Sequence, residues 1–76
     1  MNQEVYQTVI RVNKEDSAFI YFQLEANEGV CFYSTLKESL GEPYRDIKVT
    51  AHISLAEETK RILNKLSEKL DIKTVS

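Results

Sequence analysis

Three observations predict an α+β fold, a two-layer sandwich with an antiparallel sheet and two helices on one of its faces. Stretches rich in β-branched and aromatic residues alternate with segments of helical character in the order β-α-β-β-α, and a β-branched tail can close the sheet as a final strand. Capping and turn residues fall in the gaps between these stretches rather than inside them. The chain has 76 residues, room for a single domain over 1–76, and a chain of this size buries only roughly 60% of the surface it exposes when unfolded. Its 42% hydrophobic and 29% charged residues, with two Gly and one Pro, mark a globular chain rather than a disordered one.

Residues 5–12 (Val-Tyr-Gln-Thr-Val-Ile-Arg-Val) are rich in β-branched side chains and run into Asn13-Lys14-Glu15-Asp16, so a first strand is followed by a helix start capped by Asn13 or Asp16. The first helix spans 17–27 and stops at Glu28-Gly29, where glycine is expected in the left-handed conformation that spares the Cβ penalty. Residues 30–36 (Val-Cys-Phe-Tyr-Ser-Thr-Leu) have strand formers and no helical period, and give the second strand. Gly41 and Pro43 punctuate 37–44. Residues 46–53 then alternate, with Ile47, Val49, Ala51 and Ile53 on one side and Lys48, Thr50 and His52 on the other, which predicts a half-buried third strand.

Ser54-Leu55-Ala56-Glu57 has the spacing of a capping box, in which Ser54 accepts from the amide three residues on and Glu57 reaches back to the cap amide. The second helix follows over 55–70, with Leu55, Thr59, Ile62, Leu63, Leu66 and Leu70 as one apolar stripe. Residues 72–76 supply the short closing strand. The resulting βαββα(β) order is the ferredoxin-like split arrangement, with the first and third strands central and the second and fourth at the edges.

The first helix differs from the second in being apolar almost all the way round. Projection at about 100° per residue puts Ala18, Phe19, Phe22 and Ala26 on one side, expected to face the sheet, and Ile20, Tyr21 and Leu24 on the other. In a two-layer fold the outward side has no protein above it, so Ile20, Tyr21 and Leu24 are the expected partner-binding residues. The open sheet face, with Val9 and Arg11 beside Thr50 and His52, is the second expected contact surface, because its mixture of apolar and polar groups suits a wet interface.

Chemistry-bearing residues are sparse. His52 is the only histidine and lies on the side of the third strand away from the core, and Cys31 has no Cys or His at metal-ligand spacing, so no metal site, cofactor or catalytic constellation is expected. Glu25 and Glu28 flank the first helix end against its dipole, and Arg11, Lys37 or Arg45 is expected to compensate them. Ten basic against twelve acidic residues give a formal net charge of -2, without the cationic footprint of a nucleic-acid binder. No apolar run approaches the roughly 20 residues of a membrane span and the N-terminus has no signal-peptide pattern, so no membrane partner and a cytoplasmic location are expected.

Specific activities hosted by this architecture require their own residues. The third strand lacks the stacking aromatics of RNA-recognition domains, the first loop lacks the Cys-x-x-Cys of metal chaperones, and the phosphate cradle of acylphosphatases is absent. Amino-acid-sensing ACT domains are nearer, although their Pro-Gly turn after the first strand is missing. A metabolite bound in that manner would meet Asn13, Lys14, Asp16 and Ser17.

Ile10-Arg11-Val12, Asp16, the series Phe19-Ile20-Tyr21-Phe22-Gln23-Leu24-Glu25, Glu28-Gly29 and Thr35-Leu36 together resemble a short bacterial family, the domain of unknown function 4911 family. The resemblance covers most of the chain up to the second helix, and its distinctive parts are the Glu-x-x-Glu-Gly helix end and the Thr-Leu pair. It implies bacterial origin and a compact α+β domain, with no activity and no catalytic residues to carry over. The function expected is therefore a non-catalytic interaction or regulatory module that forms a homodimer or binds a protein partner, with an ACT-like small-metabolite sensor as the alternative.

Overall fold

Alternation builds the sheet. In β1 (Val5–Asn13) the side chains of Thr8, Ile10 and Val12 are buried and those between them are not, and β3 (Tyr44–His52) answers with Ile47, Val49 and Ala51. The two strands pair antiparallel from Val5↔His52 to Asn13↔Tyr44, which sets Ile10 opposite Ile47 and Thr8 opposite Val49 on the same face. The computed structural model describes residues 4–76. It adds β2 (Phe32–Thr35) outside β3 and β4 (Ile72–Thr74) outside β1, both antiparallel, for a sheet order β2-β3-β1-β4. With α1 (Ser17–Glu25) and α2 (Ala56–Ser67) this is the predicted α+β, ferredoxin-like sandwich, and its central and edge strands are the ones expected.

The closing strand extends beyond its three paired residues. Val75 N–H donates to Val9 O, Val9 N–H donates to Ser76 O, and the largely buried Thr8 hydroxyl also donates to Ser76 O at 2.9 Å. At the other edge Leu36 N–H donates to Asp46 O, which fixes the hydrogen-bonding parity of β2. The α2 stripe is as predicted: Thr59 and Leu66 are buried, Ile62, Leu63 and Leu70 pack against the core, and Thr59 Oγ1 donates to Leu55 O.

Several local expectations are corrected. Neither Asn13 nor Asp16 caps a helix through its side chain, because a 3-10 turn (Lys14–Asp16) precedes α1 and the Ser17 hydroxyl donates back to Lys14 O. Gly29 is not left-handed, since no residue described has positive φ. The chain instead leaves α1 through tight turns in which Asn27 Nδ2 donates to Gln23 O at 2.8 Å. The capping box at Ser54 does not form either. Ile53–Leu55 make a 3-10 turn that is capped by His52, whose Nδ1 accepts from Ser54 N–H and lies 2.8 Å from Ser54 Oγ. Ile53 thereby leaves the strand and is 48% exposed.

The larger correction concerns α1. Ile20 and Leu24 are buried to 0% and 1% exposure in the cluster with Ile10, Val12, Ile47, Val49 and Ala51, whereas Ala18, Phe19, Phe22 and Ala26 lie exposed. The helix is turned opposite to the expected orientation. An all-round apolar helix gains comparable burial in either orientation, so the choice falls to shape and polar satisfaction. Ile20 and Leu24 fill the aliphatic surface of the sheet. Tyr21 reaches β2, where its hydroxyl shares a hydrogen with Thr35 Oγ1 and its ring stacks on Tyr33 at 5.1 Å between centroids. Had Phe19 and Phe22 faced the sheet, that hydroxyl would have lost its protein partner.

Candidate functional site

With its inner face sealed into the core, α1 presents an outward strip of its own. Phe22 is 67% exposed, Ala18 and Ala26 lie one turn to either side of it, and Phe19, 42% exposed, leans toward α2. Between the helices runs a groove of about 340 Å³, lined by Phe19, Gln23 and Asn27 of the α1 side and by Ile62, Lys65 and Leu66 of α2. Lys69 and Glu68 stand at its mouth. The arrangement is an apolar strip with a charged margin. Of the expected partner-binding residues, Ile20 and Leu24 are core, and Tyr21 is a half-buried brace to β2. The two-sidedness of the helix was legible in the sequence. The signal for its orientation was Tyr21, the one outward-assigned residue with a hydroxyl to satisfy.

The α1–β2 junction accounts for Glu25. Tyr33 OH donates to Glu25 Oε2 at 2.7 Å, so the carboxylate at the helix end is met by a phenol and not by Arg11, Lys37 or Arg45 as expected. Arg11 is engaged by Asp46, and Arg45 Nη1 donates to the carbonyls of Ser39, Glu42 and Tyr44. The bond to Glu25, and after it burial, push the Tyr33 phenol up to about 12 from 10.0. Because the folded state holds the neutral phenol, this contribution to stability is complete below the ordinary value and is lost as pH rises from there through about 12. Ultraviolet titration of the four tyrosines should show one phenol ionising near 12, and Glu25→Gln should return it toward 10. A folded wild type with no phenol ionising near 12 would show that the bond is not made.

On the open sheet face, Arg11 and Asp46 form a bidentate pair, Nε–Oδ1 2.7 Å and Nη2–Oδ2 3.0 Å, and the guanidinium lies 4.0 Å over the Tyr44 ring. The Arg11 hydrogen bond holds the Asp46 carboxyl below its usual range, so the pair's contribution is present at neutral pH and is lost as pH falls through that lowered value. Lys73 faces Arg11 from β4. Among the expected ligand-binding residues, Asn13 borders a small groove of about 230 Å³ with Arg11, Pro43, Tyr44, Asp71 and Lys73. Lys14, Asp16 and Ser17 belong to the 3-10 turn and helix start, Lys14 exposed and the other two half-buried, and do not line that groove.

Among the described residues no group of three or more His, Cys, Asp or Glu comes together, and no helix is long and apolar enough to cross a membrane. Cys31 is 2% exposed and burial pushes its thiol up, away from the thiolate a nucleophile needs. His52 is exposed and serves as a turn cap. Comparison with family models, with curated proteins and with solved structures finds no match.

Proposed function

We propose that this chain is a non-catalytic interaction module that docks a protein partner on the outward face of α1. The observation that carries the reading is Phe22, 67% exposed at the centre of a strip with Ala18, Ala26 and Phe19, in a fold whose core is closed by the opposite face of the same helix. Aromatic side chains are enriched at partner surfaces, and Lys65, Lys69 and Glu68 line the groove beside Phe19 as a polar margin. The resemblance to the bacterial family of unknown function brings no activity, so the reading rests on this surface.

The test is capture of binding partners by the tagged protein, wild type against Phe22→Glu combined with Phe19→Ser. Both side chains lie outside the core, so the variant should keep the wild-type circular dichroism and a cooperative melt. Loss of an aromatic anchor should weaken a partner by about 2 kcal/mol, roughly 30-fold. Partners that bind the folded variant as well as the wild type would remove α1 from the interface.

A small-metabolite sensor is the second reading, favoured by one observation: the groove at Arg11, Asn13, Tyr44 and Lys73, where a held guanidinium and an ammonium face the same space. It lies beside, and not at, the 13–17 segment expected to bind a ligand. A thermal-shift screen of amino acids and nucleotides separates the readings, since a ligand that raises the melting temperature of wild type but not of Lys73→Ala supports the sensor, and no shift at millimolar concentration excludes it.

A further inference from the structure

The outer side of β2 is an open strand edge whose only guard is its shortness. The bond from Leu36 N–H to Asp46 O sets the parity of the β2–β3 ladder, so Phe32 and Ser34 direct their backbone groups to β3 while Tyr33 and Thr35 direct theirs outward. Natural edges are commonly protected by a charge, a proline or a bulge. β2 is Phe-Tyr-Ser-Thr, uncharged throughout, whereas the opposite edge strand carries Lys73.

We infer that β2 is a dimerisation edge and that its occupant is β2 of a second copy of this chain, paired antiparallel about a two-fold axis through Ser34. This goes beyond the interaction reading above, which concerns a different surface and a different partner. The register follows from which groups face outward. Tyr33 of each copy exchanges N–H···O=C bonds with Thr35 of the other, which leaves Ser34 opposite Ser34 as a non-hydrogen-bonded pair, where side chains approach most closely and small ones are needed. Phe32, 70% exposed in the single chain, then lies opposite Leu36 of the second copy on the open face. A standard interface buries roughly 800 Å² per partner, more than a four-residue ladder supplies. The remainder comes from Phe32 and Leu36 on one face and, on the other, from the flank of α1 that Tyr21 and Glu25 tie to β2.

Sedimentation of the purified full chain from micromolar to millimolar concentration should show a monomer–dimer equilibrium. Ser34→Lys sets two like charges face to face on an exposed strand position and should weaken the dimer about tenfold or more without changing circular dichroism. Ser34→Cys should form a covalent dimer under mild oxidation, because the Cα separation of such a pair is about 4.5 Å, within the disulfide range. The wild type, whose single Cys31 is buried, should not cross-link. A strict monomer at millimolar concentration overturns the inference, as does a dimer that persists in Ser34→Lys and leaves Ser34→Cys reduced. Because Phe22→Glu lies off this edge, loss of partner capture in that variant with the dimer intact separates the two surfaces.

Discussion

Replacing Ile20 and Leu24 together by aspartate is expected to unfold the domain. Both side chains are essentially without solvent exposure and touch a cluster built from Ile10, Val12, Ile47 and Val49. Truncating one such residue to alanine costs about 2–5 kcal/mol, and placing a carboxylate in the same space adds the penalty of an unpaired buried charge. A domain of this size sits near the low end of the roughly 5–15 kcal/mol range of stabilities, so the double substitution exceeds what it can lose. Far-ultraviolet circular dichroism should show loss of structure at room temperature. The matched substitution on the other face, Ala18→Asp with Phe22→Asp, should leave a cooperative melt within a few degrees of wild type. A folded Ile20/Leu24 variant would mean that α1 packs by its other face.

That contrast also marks where the sequence was readable. The alternation of β1 and β3 has one solution, because a one-residue slip would send Ile10, Ile47 and Val49 to the open face, and the stripe of α2 leaves a single face for burial. α1 offers two apolar faces, and hydrophobicity does not distinguish them. What does is a tertiary hydrogen bond between the hydroxyls of Tyr21 and Thr35, fourteen positions apart and on different elements. The termini failed for a related reason. Ser54 and Gly29 have the residue types of a cap and a stop, but the side-chain bonds at these ends are made by their neighbours, His52 Nδ1 accepting from Ser54 N–H and Asn27 Nδ2 donating to Gln23 O. The strip around Phe22 was visible as a set of residues, and only its direction had to come from the packing.

Tyr21→Ala is expected to give the other large effect, about 2–3 kcal/mol, through the stacked ring and the hydroxyl that tie α1 to β2. The stack on Tyr33, 5.1 Å between centroids and 19° between planes, contributes about 0.5–1.5 kcal/mol beyond the area it covers, and the half-buried ring adds its transfer from water. For a domain of this length each kcal/mol moves the melting temperature by about 4–8 °C, so a fall of roughly 10–20 °C is expected. Tyr21→Phe keeps the ring and removes only the hydrogen shared with Thr35, at a cost of about 1 kcal/mol, which separates the two contributions. The location of the effect is as informative as its size. β2 is only four residues long and is held on one side by β3 and from above by this tyrosine, so the alanine variant should loosen the edge before the centre. Hydrogen exchange should then accelerate at the Phe32 and Ser34 amides, which bond to β3, more than at Ile10 and Ile47 in the central pair. Uniform acceleration across all four would show that Tyr21 supports the sandwich as a whole and has no special hold on the strand whose outer edge is open.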